Sequence, residues 1–229
     1  ARIPRCAIII YERMNEMSLL RLEKVVVDYG SIHALKEIDI DVNTGEVITL
    51  IGANGAGKTT FLRLLQGEYP YSGTISASVE FEYFPYEVAN LSRTGLEEVR
   101  EIAPEAEDWE IQRELGLLDL AERSLELPFS SLSNGERTKV LLAAMFLKEN
   151  AFLLIDEPTN HLDLEGRRKL GSYLARKRGF LLVSHDRAFL DQCVDHILAI
   201  NRTNIEIQRG NFSSWWENRR RQDAFELAR

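Results

Sequence analysis

A glycine-rich run in the first third of the chain has the residue spacing of a phosphate-binding loop, Gly52-Ala53-Asn54-Gly55-Ala56-Gly57-Lys58-Thr59. It lies between an apolar run, 47–51, and a segment of helical period, 58–66, which is the setting that such a loop needs. Glycines let backbone N–H groups turn inward onto a phosphate, Lys58 reaches the β- and γ-phosphates, and Thr59 offers a hydroxyl to Mg²⁺. The loop therefore predicts a site for Mg²⁺ and a nucleoside triphosphate, with contacts from Asn54, Gly55, Ala56, Gly57, Lys58, Thr59 and Thr60.

Two carboxylates end an apolar run in the second half of the chain, where Asp156 and Glu157 follow residues 151–155. Ligands of an open parallel sheet bind at the carboxyl ends of its strands, so these acids are expected beside the phosphate loop. Asp156 suits Mg²⁺, bound directly or through water, and Glu157 suits a general base that polarises an attacking water. Together with Lys58 they predict hydrolysis of the triphosphate. A strand that ends in a solvated acidic turn is the alternative interpretation.

Alternating strands and helices must position these residues. Period-two and β-branched runs predict strands, and runs of period 3.6 predict helices. The predicted strands are 19–27, 38–42, 47–51, 74–78, 80–84, 151–155 and 180–184, the predicted helices are 58–66, 96–102, 109–120, 136–148 and 165–177, and two further ordered segments are 191–200 and 204–208. This alternation predicts an α/β fold with a mainly parallel sheet, covered by helices on both faces and interrupted by an acidic helical insertion between 86 and 128.

The composition is that of a globular protein. Of the 229 residues, 45% are hydrophobic and 28% are charged, which excludes a disordered, collagen-like or disulfide-stapled chain. A net charge of -8 argues against a protein that coats nucleic acid through a uniformly basic surface. Cys6 and Cys193 lie far apart and are expected to be buried or free thiols of a reducing cytosol. No membrane span is predicted, and residues 1–17 are expected to be a tail or remnant outside the fold.

Further motifs follow in the order of a known superfamily. Leu132-Ser133-Asn134-Gly135-Glu136 resembles the signature sequence of the ATP-binding cassette (ABC) proteins. The resemblance implies that Ser133, Gly135 and Glu136 face the γ-phosphate of an ATP molecule held by an opposite cassette. It thus implies a head-to-tail dimer in which ATP binds between the two cassettes and holds them together. Read locally, Ser133 and Glu136 form a helix capping box, and the two roles are compatible.

Two more positions are similar to functional residues of that superfamily. His185, in Ser184-His185-Asp186, resembles the switch histidine, which implies contact with the γ-phosphate and positioning of water. Tyr29 resembles the aromatic residue that stacks on adenine. A structural histidine and a packing tyrosine are the alternatives. The implied fold is a phosphate-loop NTPase of the ABC ATPase type over 18–210, with an antiparallel β part and a helical subdomain inserted at about 88–148.

Within the superfamily the chain is most similar to ABC-F proteins, on the runs 156–163, 183–191 and 210–223. ABC-F proteins are soluble, carry two cassettes in one chain and act on ribosomes. The resemblance implies a cytoplasmic N-terminal cassette in which 211–229 opens a helical linker to a missing second cassette. A homodimer is the other source of that second cassette. The implied partners are the ribosome and its rRNA, in translation or in antibiotic protection.

Two positions depart from the family pattern, and one region resembles another subgroup. Tyr86 stands where ABC proteins carry a glutamine that contacts Mg²⁺ or water, which leaves a non-catalytic nucleotide switch as one alternative. Asn134 replaces a glycine of the signature, as in some antibiotic-resistance ABC-F proteins. Residues 20–60 are more similar to ATPase subunits of branched-chain amino acid importers, which indicates a chimeric sequence. An importer ATPase bound to a membrane permease is the runner-up function.

Overall fold

The computed structural model describes residues 9–10, 18–29, 32–52, 57–200 and 205–227, which form two β-sheets flanked by helices. The first sheet contains β1 (Ile9–Ile10), β2 (Ser18–Tyr29), β3 (Ile32–Asn43) and β5 (Ser72–Ala77) in the order β1-β5-β2-β3. In this sheet β2 is antiparallel to both of its neighbours. It is the antiparallel part that the family resemblance implies.

One strand of this sheet lies within 1–17, the segment that the sequence analysis expects to be a tail or remnant. The sequence places 1–17 outside the fold, yet β1 pairs in parallel with β5, with Ile9 opposite Ser76 and Ile10 opposite Ala77. The edge of β5 offers unpaired backbone groups, and two isoleucines are well suited to pair with such an edge. The first sheet therefore has one strand more than the sequence pattern indicates.

The second sheet contains β4 (Val47–Ile51), β6 (Glu80–Phe84), β7 (Ala151–Asp156), β8 (Phe180–Val183), β9 (His196–Ile200) and β10 (Ile205–Arg209) in the order β10-β9-β4-β8-β7-β6. All neighbouring strands are parallel except β10, which is antiparallel to β9. The prediction of an α/β fold with a mainly parallel sheet is confirmed. Because β4, β8 and β7 are consecutive neighbours, their carboxyl ends meet at one edge of the sheet.

Helices cover the second sheet and form the insertion between β6 and β7. The described residues contain α1 (Lys58–Leu65), α2 (Gly95–Ile102), α3 (Asp108–Leu117), α4 (Arg123–Glu126), α5 (Asn134–Leu147), α6 (Leu164–Leu174), α7 (Arg187–Cys193) and α8 (Phe212–Leu227), with a 3₁₀ turn at Phe129–Ser131. Helices α2, α3 and α4 lie within the predicted insertion at 86–128, and α5 follows it within the range of about 88–148 that the resemblance implies for the helical subdomain. Helix α8 occupies the segment predicted to open a linker.

The sequence pattern misses α7, because it joins 191–200 into one segment. The structure divides that segment between the end of α7 and strand β9. The side chain of Asp186 caps α7 by accepting a hydrogen bond from the backbone N–H of Phe189 at 3.1 Å. Val194 is extended, which ends the helix and lets the chain enter β9.

Residues of β7 alternate between two apolar cores on opposite faces of the second sheet. Phe152 and Leu154 pack with α1 and the first sheet, whereas Leu153 and Ile155 pack with α5, α6 and the insertion. All four side chains are buried. Side chains alternate along a strand, so Asp156 continues the row of Phe152 and Leu154 on the face that α1 covers.

A buried ionic cluster ties the helical insertion to α6 and to Lys177, which follows α6. Glu114 of α3 has a side chain that is 1% exposed, and it accepts hydrogen bonds of 2.5 Å from Lys177 and from the Tyr173 hydroxyl of α6. Burial favours a higher pKa for Glu114, but the hydrogen bonds from Lys177 and Tyr173 outweigh it and hold the pKa below its usual value. The carboxylate therefore stays charged at neutral pH and holds α3 against α6.

Cys193 is buried near the end of α7, and burial raises the pKa of its thiol to about 12. Cys6 lies outside the described residues. In the ranges that the structure describes, no helix combines the length and the apolar character needed to cross a membrane.

Candidate functional site

The turn between β4 and α1 contains the two ends of the predicted phosphate loop. Gly52 follows β4, and Gly57 precedes α1 with a φ of 100°, a left-handed conformation that favours glycine. The Lys58 ammonium donates a hydrogen bond to the Gly52 carbonyl oxygen. Thr59 is exposed and Thr60 is half-buried in the first turn of α1, which carries no acidic residue. A cation at an open helix N-terminus is well suited to bind phosphate.

Part of the predicted nucleotide site lies outside the described residues. Asn54, Gly55 and Ala56 fall there. Tyr29 is the last residue of β2, and its side chain is also outside the described part of the chain. The loop contacts and the adenine contact of these residues stay predictions.

Asp156 ends β7 and is held by a tyrosine of the neighbouring strand. The Tyr83 hydroxyl donates a hydrogen bond to Asp156 Oδ2 at 2.9 Å. Tyr83 lies opposite Leu154 in the parallel pair of β6 and β7, so it shares the sheet face of Asp156. Burial and the charge of Asp156 raise the pKa of Tyr83 to about 12, which keeps the phenol protonated at neutral pH. The sequence gives no local signal for this contact, because strand register joins residues far apart in the chain.

Glu157 has a strained backbone and a partly unsatisfied carboxylate. Its φ is 48°, which is uncommon for a residue other than glycine, and its N–H donates to the Val183 carbonyl oxygen at 2.8 Å. Glu157 Oε1 is buried without a hydrogen-bond donor among the described residues. Burial raises the pKa of Glu157, although the neighbouring His185 acts in the opposite direction. Strain and a raised pKa at one residue are typical of functional sites.

His185 follows β8, as the sequence predicts, and its side chain lies against Glu157. The backbone N–H of His185 donates to Glu157 Oε2 at 3.4 Å, and its Nε2 lies 3.4 Å from Glu157 Oε1. The ring is 70% exposed. The loop behind it is fixed, since Asp186 donates its N–H to Ser184 Oγ and its carboxylate pairs with Arg167 at 3.3 Å. The ring can therefore contact a ligand while its backbone stays in place.

Aromatic side chains of α8 close one side of this site. A cavity of about 380 Å³ is lined by Lys58 and His185 on one side and by Phe212, Trp215 and Trp216 of α8 on the other. The Arg187 guanidinium lies 4.7 Å from the ring centroid of Trp216 and 5.5 Å from that of Phe212. These cation–π contacts join α8 to the segment that carries His185. The sequence analysis missed this aromatic wall, because no local pattern pairs α7 with α8.

Tyr86 lines a second cavity, of about 300 Å³, together with Asp156 and Glu157. The tyrosine is half-buried, and its side chain packs against the core formed with α5 and the insertion. It has no hydrogen bond with any residue that the structure describes. The position for which the resemblance implies a glutamine is thus occupied by a packing residue.

The signature segment caps α5, as the local interpretation predicts. Ser133 Oγ accepts a hydrogen bond from the Glu136 N–H at 3.2 Å, and Glu136 Oε2 accepts one from the Ser133 N–H at 2.9 Å. A side chain at Gly135 would lie 3.3 Å from the Leu162 side chain, so glycine permits close packing against the loop after Glu157. Ser133 itself is exposed. None of these bonds links the signature to the phosphate loop of the same chain.

The oxygen donors beside α1 fit Mg²⁺. Thr59 offers a hydroxyl, and Asp156 offers a carboxylate whose Oδ1 takes no hydrogen bond from the described residues. Mg²⁺ prefers such oxygens and usually binds through one or two protein side chains together with substrate phosphates. The described residues include no cluster of three His, Cys, Asp or Glu side chains that could hold a metal. Phosphate oxygens of a nucleotide would complete the coordination.

Comparison with known proteins gives a family match over 35–160, to a family described as ABC transporter. The ribosome protection protein VmlR of Bacillus subtilis is 34% identical over 85% of this chain and 36% of its own length. The zinc import ATP-binding protein ZnuC of Pseudomonas putida is 33% identical over 81% of this chain and 76% of its own length. ABC transporter F family member 5 of Arabidopsis thaliana is 29% identical over 87% of this chain and 30% of its own length.

A solved structure described as the ATP binding subunit of an ABC transporter has the same architecture. It superposes with a TM-score of 0.72 at 26% identity and covers 90% of this chain and 94% of the other. The chain spans about a third of the length of VmlR and of the Arabidopsis protein, and about three quarters of ZnuC. Sequence identity therefore does not separate the ribosome protection protein and the F family member from the import ATPase ZnuC.

Proposed function

The chain belongs to the ABC transporter family of ATP-binding cassettes, and from this premise we propose that it binds and hydrolyses Mg-ATP as one cassette of an ABC-F type ATPase. The contact between Glu157 and His185 is the observation that carries the proposal. It lies at the carboxyl ends of the neighbouring strands β7 and β8, and β4, which leads into the loop of Lys58, is the next strand. A candidate base and a candidate phosphate sensor thus meet beside the phosphate loop.

The tasks of the residues follow from their positions. Lys58 and the N-terminus of α1 neutralise the phosphates, while Thr59 and Asp156 hold Mg²⁺, which supplies positive charge to the phosphate oxygens. Glu157 Oε1 accepts the proton of the attacking water. Burial raises the pKa of Glu157 and makes it a stronger base than an exposed glutamate. His185 orients that water and contacts the γ-phosphate.

A second cassette completes the site in this proposal. ABC cassettes work in pairs, and Ser133 and Gly135 open α5 at an exposed end rather than at the phosphate loop of their own chain. The solvent-exposed N-terminus of α5 suits the γ-phosphate of ATP bound by the opposite cassette. Tyr86 favours a nucleotide switch as the second candidate, since a phenol that packs against the apolar core stands where the family carries a glutamine amide.

The ribosome is the partner that we propose, on the basis of similarity to a ribosome protection protein and to an F family member. A cytoplasmic location goes with that role. The import ATPase ZnuC is as similar as VmlR, so a membrane permease is the competing partner. Co-sedimentation of the ATP-bound protein with purified ribosomes would support the first partner. Co-purification with a permease in detergent, without binding to ribosomes, would support the second.

Nucleotide binding is tested by Lys58→Ala, with Lys169→Ala of α6 as the matched control. Lys169 pairs with Asp119 on the surface, so its loss removes a lysine without touching the site. Titration with a fluorescent ATP analogue and Mg²⁺ should show a large loss of affinity for Lys58→Ala and parent affinity for the control. An unchanged dissociation constant for Lys58→Ala would refute the phosphate-loop assignment.

A further inference from the structure

The geometry points to a positioning residue for the metal ligand. We propose that Tyr83 holds one oxygen of Asp156 and thereby fixes the orientation in which the other oxygen is available to Mg²⁺. The inference rests on the proposed function, because it concerns Mg²⁺ bound together with ATP.

The hydrogen bond from the Tyr83 hydroxyl restricts the orientation of the Asp156 carboxylate. Its length is 2.9 Å, and the described residues provide no other hydrogen-bond donor to that side chain. An aspartate at the end of a strand has broad freedom of its terminal torsion unless a partner restricts it. The Tyr83 hydroxyl supplies that restriction at Oδ2 and leaves Oδ1 for a metal.

The sheet determines where the Tyr83 hydroxyl lies. Tyr83 and Leu154 are paired in the register of β6 and β7, and Leu154 is two residues before Asp156 on the same face. The Tyr83 side chain packs against the core that α1 shares with the first sheet. Because α1 begins at the phosphate loop, the packing that places the phenol also places Asp156 on the side of Thr59.

Two opposite effects of the hydroxyl make the proposal decidable. A hydrogen bond to a carboxylate withdraws electron density and weakens it as a metal ligand, whereas a fixed orientation strengthens metal binding. Outer-sphere partners of metal ligands are usually worth about 10- to 100-fold in metal affinity, which indicates that orientation dominates. Loss of the hydroxyl should therefore weaken binding of Mg²⁺.

The experiment compares Tyr83→Phe with the parent by equilibrium binding, so it does not depend on turnover. Affinity for a fluorescent ATP analogue is measured in EDTA and then as a function of Mg²⁺ concentration. Tyr83→Phe should keep the metal-free affinity, which also shows that it is folded, and should need about tenfold more Mg²⁺ for half-saturation. With Mn²⁺ in place of Mg²⁺, the electron paramagnetic resonance signal of the nucleotide-bound metal should broaden.

Tyr173→Phe is the matched control, since it also removes a phenol that donates to a carboxylate, at Glu114. It should leave the Mg²⁺ midpoint at the parent value. A midpoint in Tyr83→Phe that is unchanged or lower than in the parent overturns the proposal. An equal loss of affinity with and without Mg²⁺ also overturns it. If the parent itself binds ATP without any dependence on Mg²⁺, the proposed function fails instead.

Discussion

Glu114→Gln tests the ionic cluster that holds the helical insertion on the cassette. The substitution keeps the shape of the side chain and removes the charge opposite Lys177. Glu114 is 1% exposed and Lys177 is 18% exposed, so both groups have lost most of their water. Removing one partner of a buried ion pair costs about 3–5 kcal/mol. The variant should therefore be clearly less stable than the parent at neutral pH.

Two features of Lys177 reduce that cost. Its ammonium keeps some solvent, and it lies 4.8 Å from the ring centroid of Tyr173 and 5.3 Å from that of Phe146. Cation–π contacts are worth about 0.5–2 kcal/mol, so the net loss is about 1–4.5 kcal/mol. At roughly 2–4 °C for each kcal/mol in a chain of this size, the Tm should fall by roughly 2–18 °C.

The effect depends on pH with a definite sign. Because the pKa of Glu114 is lowered in the folded state, its stabilisation is fully present above the pKa of the unfolded chain. It is lost as the pH falls through the lower, folded value. Urea unfolding followed at neutral pH and at successively more acidic pH should show the parent approaching the variant.

Two controls separate the ion pair from a general loss of charge. Glu105→Gln changes an exposed glutamate near the same helix and should leave the free energy of unfolding within about 0.5 kcal/mol of the parent. Adding Lys177→Met to Glu114→Gln removes the ammonium that has lost its carboxylate partner, and it should recover part of the lost free energy of unfolding. A Glu114→Gln variant as stable as the parent at neutral pH, or a difference that persists in acid, would refute the reasoning.

The remaining predictions concern the two faces of the nucleotide site. Glu157→Gln should lower ATP turnover by about 10²- to 10⁴-fold while ATP still binds, and Glu149→Gln on the surface should match the parent in a phosphate-release assay. Burial makes the pKa of Glu157 higher in the folded than in the unfolded chain, so ionisation of Glu157 destabilises the fold as the pH rises from the unfolded pKa through the folded one. Glu157→Gln should therefore gain stability over the parent towards neutral pH. Equal turnover of Glu157→Gln and parent would show that Glu157 is not the base. Ser133→Arg should leave ATP affinity of the monomer nearly intact and abolish any ATP-induced dimer on size exclusion. A loss of monomer affinity as large as in Lys58→Ala would contradict the signature assignment.

The sequence alone determined the parts of the site that are local in the chain. Lys58 and Thr59 open α1 after Gly57, and Asp156 and Glu157 lie at the carboxyl end of a buried strand, both as predicted. The capping of α5 by Ser133 was equally predictable. Each of these features depends on a few consecutive residues, whose backbone preferences and hydrogen bonds act within one turn or one strand.

Only the tertiary structure decided which distant residues meet. The register of β6 against β7 brings Tyr83 to Asp156, and α3 packs on α6 so that Glu114 reaches Lys177. Strand β1 pairs with the edge of β5, more than sixty residues further along the chain. Such contacts depend on which surfaces bury apolar area together, and no sequence window contains both partners. The chemical groups of the candidate site could therefore be proposed from the sequence, whereas the side chains that hold them in place could not.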